Sequence, residues 1–392
     1  MAISDFLPGL AGVPATKSNI SFIDGEKGVL AYRGYPIETL AEQSNFEETA
    51  LLLLTGELPS PAELANFRAE LAKNHILPLS VHKVMQKLPR VGHPMQMLQT
   101  MIAGLGMFYP DDSRTGTNLK DYQDFDYLHA MSVKIIARMP TLVALWERIR
   151  NGRDSVAPRS QMSFAENFLY MFTGKEPEPF LIGLMDTCLV LHAEHTINAS
   201  TFAAMVAGST LANPYSVIAA AAGTLAGPLH GGANQRVIDM LQEIGTPDQV
   251  KPWLDKKLNA REVVWGMGHR EYSVKDPRAL ILQGLMEKLA LHKSGNVSPL
   301  FETALALEAA AEDRLAIKGV YPNVDFYSGI LYAEMGIPAD QFTSIFAIAR
   351  TAGWLAHWRE QLIDNRIIRP TQLYVGEGLR DYVPLESREK LQ

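Results

Sequence analysis

Outside one short stretch near its start, the chain offers almost no alternation of apolar and polar residues, and that scarcity limits its fold more than any single motif does. A half-buried strand needs a period of two, so a chain without it is left with helix and loop. The exception is Phe22 to Tyr35, where Asp24-Gly25 and the glycines 28 and 34 surround two short apolar pieces with turn signals and predict a small hairpin. Elsewhere the punctuation is that of helices. Ser44-Asn45 with Glu48 reads as a capped start, followed by Leu51 to Leu54 and a stop at Gly56. Ser60-Pro61 with Glu63 opens another helix, with proline in the first turn where its missing donor is harmless. Tyr127 to Arg150 and Pro179 to Gly208 read as long helical stretches, and Val237, Met240, Leu241 and Ile244 form the stripe of a helix that buries one face. Pro277 to His292, Pro299 to Lys318 and Ala339 to Leu362 continue the pattern, separated by Gly295, Gly319, Gly336 and Pro338. No repeat period recurs, so a solenoid is not expected.

The expected class is therefore all-α, mainly helical. With 392 residues and 47% hydrophobic content the chain can bury a large core, and that length favours two domains over one. Glycine and proline bracket residues 229–338, as the two crossings of an inserted domain require. We expect a large helical domain made of residues 1–228 and 339–392, a smaller helical domain at 229–338, and an active site in the cleft between them. A net charge of -7 and a pI near 5.8 argue against nucleic acid and against a polybasic membrane surface, which leaves small molecules and further copies of the chain as partners. Cys188 is the only cysteine, in an apolar run that marks it as a buried small hydrophobe. The N-terminus lacks a basic region followed by an apolar run, and the apolar stretch Val217 to Ala226 is too short to span a bilayer; a cytoplasmic location is the expectation.

Chemistry is concentrated in three segments. Gly227-Pro-Leu-His-Gly-Gly-Ala-Asn-Gln235 and Trp265-Gly-Met-Gly-His-Arg-Glu-Tyr272 each set a histidine among glycines, which supply nothing to pack against and let a backbone approach a ligand closely. Tyr321-Pro-Asn-Val-Asp325 places an acid after a turn signal. His230, His269 and Asp325 are the parts of an acid/base machine. A metal site is not expected: His192 and His195 lie three apart, no third ligand has a suitable spacing, and His192 reads as a hydrogen-bonded structural residue. His75, His82, His93, His129, His292 and His357 read as surface or packing residues, and Met95 and Met97 as helix packing.

These segments, with Asp276-Pro-Arg278, Tyr32-Arg-Gly-Tyr-Pro-Ile37, His192 to Phe202 and Arg350 to Trp358, resemble the citrate synthase family in order and spacing, from about residue 20 to Pro370. The resemblance implies a two-domain, mainly helical, homodimeric or higher-order enzyme that condenses acetyl-CoA with oxaloacetate and hydrolyses the citryl thioester. It implies Asp325 as the base, His230 as donor to the enolate oxygen, and His269 as donor to the ketone of oxaloacetate. The oxaloacetate ligands it implies are His195, Arg278, Arg350 and Arg369, the last reaching in from the partner subunit, with Arg366 as the alternative. Coenzyme A would lie along Gly266 to Gly268, with Arg270 and Lys318 near its phosphates. No permanently bound cofactor is implied, only acetyl-CoA as substrate and CoA as product. Larger members carry an additional N-terminal domain and respond to nucleotides; here the shared region begins near residue 20, so neither is expected. Two other readings stay open. One is 2-methylcitrate synthase, which runs the same chemistry on propionyl-CoA, because one methylene changes a pocket's preference by only about 1–3 kcal/mol. The other is a non-catalytic helical interaction protein.

Overall fold

The computed structural model describes residues 6–10, 12–113, 122 and 124–388. Residues Ser18–Ile367 form one compact unit, and the chain ends, Met1–Lys17 with Ile368–Gln392, form another whose regular structure among the described residues is the short 3-10 turns at Pro8–Leu10 and Leu385–Ser387.

The larger unit begins with the predicted hairpin, extended by one short strand. Strands β1 (Ser21–Asp24), β2 (Val29–Tyr32) and β3 (Tyr35–Pro36) make an antiparallel sheet in the order 1-2-3, with Ser21 opposite Tyr32 and Tyr32 opposite Tyr35. Helices then follow: α1 (Ile37–Gln43), α2 (Phe46–Thr55), α3 (Pro61–Asn74), α4 (Leu79–Met85), α5 (Pro94–Phe108), α6 (Pro110–Ser113), α7 (Phe125–Arg150), α8 (Phe164–Thr173), α9 (Pro179–His192), α10 (Ala199–Ser209), α11 (Pro214–Leu225), α12 (Ala233–Ile244), α13 (Val250–Asn259), α14 (Pro277–His292), α15 (Pro299–Leu315), α16 (Val324–Glu334) and α17 (Phe342–Ile363).

Local chemistry sets most of these boundaries. Asn45 accepts the amide of Glu48 at the start of α2, and Gly56 ends it in the left-handed region at φ 100°. Ser60 and Glu63 close a reciprocal capping box on α3. The stripe Val237, Met240, Leu241 and Ile244 on α12 is buried throughout, as its spacing requires. Helix α7 is long and apolar enough to cross a membrane, yet 83% of its apolar window lies inside the fold, so it is a core helix. Cys188 is fully buried on α9.

One expected helix is two. The stretch from Pro179 to Gly208 breaks after His192, and residues 193–198 form an irregular loop before Asn198 caps α10 by accepting the amide of Thr201. Thr196 in that loop has φ 51°, a conformation that ends a helix. Tyr32 of the hairpin holds the loop by donating its hydroxyl to the carbonyl of Glu194 at 2.8 Å. Against this loop runs α17, whose residues 342–358 are all buried and which packs on α2, α7, α9, α10 and α11. Its Trp358 lies over Gly208, where a Cβ would stand 2.8 Å from the indole.

Candidate active site

His230 sits on the turn that follows α11. Gly231 donates to the carbonyl of Leu225 at 2.9 Å, and a Cβ at 231 would lie 2.7 Å from both that carbonyl oxygen and the Leu225 side chain, so the turn closes only with glycine there. The imidazole Nε2 lies 3.3 Å from the amide nitrogen of Ser200 and 2.8 Å from its hydroxyl. A backbone N–H can only donate. Nε2 is therefore an acceptor, and the ring proton resides on Nδ1. Ser200 is itself fixed: its hydroxyl receives the Trp354 indole N–H at 3.1 Å and stands 2.7 Å from Asn198 Oδ1, with its single proton shared between that oxygen and His230 Nε2.

His269 shows the opposite tautomer by the same logic. Its Nδ1 accepts the amides of Glu271 at 3.0 Å and Tyr272 at 3.4 Å, which puts the proton on Nε2. Its ring lies 5.0 Å from that of His195 and 4.7 Å from that of Tyr272, whose hydroxyl is 3.2 Å from His195 Nε2. Burial, with Arg350 adding, lowers His230 to about 4; burial, with Arg278 adding, lowers His269 to about 4. Burial together with Arg278, His269 and Arg350 holds His195 well below the usual histidine range. All three are neutral at physiological pH.

Asp325 is the second residue of α16, behind an Asn323 cap that accepts the Asp325 amide at 2.9 Å. Asn323 also ties two loops together: its Nδ2 donates to the carbonyl of Gly268 at 2.8 Å, and its amide donates to the carbonyl of Gly266 at 2.9 Å. Gly268 returns a bond to the Tyr321 carbonyl at 2.7 Å, and Gly266, at φ 77°, has no room for a Cβ, which would meet the Phe326 backbone at 3.0 Å. The Asp325 Oδ1 is buried with no hydrogen-bond partner among the described residues. A helix N-terminus favours a carboxylate, but burial and the nearby Asp276 outweigh that and the opposing charges of Arg278 and Arg350, and push Asp325 up to about 7.

Two arginines complete the site. Arg278 is gripped by Asp276, through Nε at 3.0 Å and one terminal nitrogen at 2.7 Å, with both side chains buried. Burial alone would weaken its charge; Asp276 more than offsets this. Arg350, 1% exposed, donates Nε to the His192 carbonyl at 2.7 Å, and its terminal nitrogens make no hydrogen bond among the described residues. The fields of Arg278 and Arg350 act on both His195 and Asp325, that of Arg350 on His230, and that of Arg278 on His269, so the six side chains share one electrostatic neighbourhood.

The family model for the citrate synthase C-terminal domain matches residues 9–371. The chain belongs to the citrate synthase family. A citrate synthase from Acidithiobacillus ferridurans is 55% identical over 99% of this chain and the whole of that protein, and one from a Synechocystis species is 50% identical over 98% of this chain and 94% of that one. Among solved structures, the citrate synthase of Thermoplasma acidophilum in ternary complex with carboxymethyl coenzyme A and oxaloacetate matches with a TM-score of 0.90 at 35% identity, covering 97% of this chain and 98% of that one.

Of the residues singled out from sequence in this family member, His195, His230, His269, Arg278, Asp325 and Arg350 come together, with the Gly266–Gly268 backbone beside them. Arg270 and Lys318 are exposed, and neither side chain has a polar partner among the described residues. Arg369 is exposed and belongs to the unit of the chain ends; Arg366 is exposed, 4.0 Å from Asp364. His192 and His195 do not share a helix, and His192 Nδ1 faces the Cys188 carbonyl at 2.8 Å, as a structural histidine would. Sequence reasoning missed Ser200, Asp276, Tyr272, Trp354 and Glu194, and read His357 as surface or packing. His357 is buried and hydrogen-bonded to Glu194 at 2.9 Å. A signal was available: positions 350, 354 and 357 fall on one face of a helix.

Proposed function

We infer that the chain condenses acetyl-CoA with oxaloacetate and hydrolyses the citryl thioester to citrate and CoA. The observation that carries this reading is the complementary pair of neutral imidazoles, one offering Nδ1–H and the other Nε2–H, beside a carboxylate poised near neutrality. The methyl group of a thioester is a very weak carbon acid. Its proton passes to Asp325 only if negative charge on the thioester oxygen is stabilised at the same moment, and His230 Nδ1–H is the donor for that oxygen; losing such a donor costs about 3–4 kcal/mol of transition-state stabilisation. His269 Nε2–H polarises the ketone of oxaloacetate, making its carbon the electrophile that the enolate attacks, and passes a proton to the resulting alkoxide. Arg278, Arg350 and His195 hold the carboxylates of oxaloacetate. Coenzyme A follows the Gly266–Gly268 backbone, with the exposed cations Arg270 and Lys318 available to its phosphates.

Residues 229–338 serve as the smaller domain and close on substrate, since His195 and Arg350 stand on one side of the proposed cleft and His230, His269, Arg278 and Asp325 on the other. A homodimer brings Arg369 of a second copy to the substrate. Small-angle scattering should show compaction when oxaloacetate is added; an unchanged curve counts against closure. For the activity itself, thiol release is measured from acetyl-CoA and from propionyl-CoA, each with oxaloacetate. A preference for propionyl-CoA would reassign the chain to 2-methylcitrate synthesis, which no feature of the site favours, and no release from either would leave only the non-catalytic reading.

A further inference from the structure

We propose that Glu194, held by His357 and Ser21, is the buried counter-charge that positions Arg350 for the substrate carboxylate, so that these three residues set oxaloacetate affinity without touching oxaloacetate. The inference rests on the reading of Arg350 as a substrate ligand.

Arg350 and Glu194 are both buried, at 1% and 0% exposure, and a buried guanidinium with no negative charge in its surroundings would be costly to keep charged. Its one hydrogen bond among the described residues, to the His192 carbonyl, fixes Nε and leaves the terminal nitrogens unbonded. Burial lowers Arg350 to about 10, and Glu194 is the strongest influence in the opposite direction. Glu194 is itself over-determined. Its Oε1 accepts from His357 Nε2 at 2.9 Å and from the Ser21 hydroxyl at 3.0 Å, and Tyr32 fixes its carbonyl. Burial would raise its carboxyl, but His357, Arg350 and Ser21 together hold it below the usual range, so it is ionised. Its Oε2 has no hydrogen-bond partner among the described residues, and it lies where a Cβ on residue 353 would be, 2.2 Å away; Gly353 makes room for it. Arg350, Gly353 and His357 are one continuous face of α17, so a single helix carries the substrate ligand, the space for its counter-ion and that counter-ion's clamp.

The test is a set of steady-state measurements on the full-length protein. Glu194→Gln keeps the shape and removes the charge: it should raise KM for oxaloacetate at least tenfold, leave KM for acetyl-CoA within about twofold, and lose most of its effect in an Arg350→Gln background. His357→Gln, which removes one restraint on Glu194, and Ser21→Ala, which removes another together with the acceptor of the Thr196 amide, should give smaller rises in the same constant. If Glu194→Gln does not fold, those two variants decide alone. An unchanged oxaloacetate KM, or effects of Glu194→Gln and Arg350→Gln that simply multiply, overturns the proposal. If Arg350→Gln alone leaves oxaloacetate KM unchanged, it is the reading of Arg350 as a ligand that fails.

Discussion

Two regions of the molecule supply the site, and they are built differently. The loop of residues 193–198 and the face of α17 beside it bury their charged groups in the core, each with a partner: Glu194 with His357, and Arg350 against a carbonyl. The turns that carry His230, His269 and Asp325 stay partly open to solvent; among the described residues each imidazole is fixed at one nitrogen with no partner on the other, and the carboxylate oxygen Oδ1 is unpaired. Groups that only need to hold a dianion are made part of the fold. Groups that must exchange protons are fixed in orientation but not satisfied. Losses in the first region should fall on stability and affinity, and losses in the second on turnover.

The sharpest way to break that division is Asp325→Asn. It should lower kcat by about 10²–10⁴-fold while oxaloacetate binding, followed by calorimetry, persists. The same change should stabilise the protein. The Asp325 carboxyl is raised from 3.8 to about 7 on folding, so the folded state favours the protonated form, and the group's contribution falls as pH rises from about 4 to about 7. At pH 8 the variant should melt a few degrees higher than the parent and near pH 4 at the same temperature; near-normal turnover, or no gain in melting temperature at pH 8, would remove Asp325 from this role. Next comes Arg278→Ala, which leaves Asp276 buried without its partner and should cost about 3–5 kcal/mol in denaturant unfolding. A variant of unchanged stability would mean that the charge is not structural.

A smaller effect per group concerns acid. His192 is lowered to about 3, His230 and His269 to about 4, and His195 well below 6.5, all chiefly by burial, so the unfolded chain takes up protons that the folded one refuses. Stability should be fully present above pH 6.5 and fall as pH drops toward 4, by up to about 2 kcal/mol per histidine at pH 5. Urea titrations at pH 7 and pH 5 measure it, and equal midpoints would contradict neutral histidines. Smallest is Ser200→Ala. It removes the hydroxyl but keeps the amide that fixes the His230 tautomer, so kcat should fall tenfold or less; a loss as large as that of Asp325→Asn would make the hydroxyl, not the amide, the determinant.

Much of this was legible beforehand because it is local. Asn45, Ser60 and Gly56 punctuate helices through atoms within four residues, so the helix starts and stops were readable, and histidines among glycines marked the reactive turns. The break after His192 was not readable. It depends on Thr196 turning left-handed and on Glu194 finding His357, 163 residues away in sequence. Ser200 escaped notice for the same reason: its role is defined by His230 and Trp354, neither of which its own neighbourhood announces.

Thr196 has one more consequence. A β-branched residue at φ 51° is held off its natural backbone conformation, with its amide captured by the Ser21 hydroxyl at 3.1 Å, and such a conformation costs on the order of 1–3 kcal/mol. Glycine there would relax the chain and toughen the molecule against heat, and would also let the neighbouring His195 wander. Selection for ruggedness and selection for aim pull this one position in opposite directions.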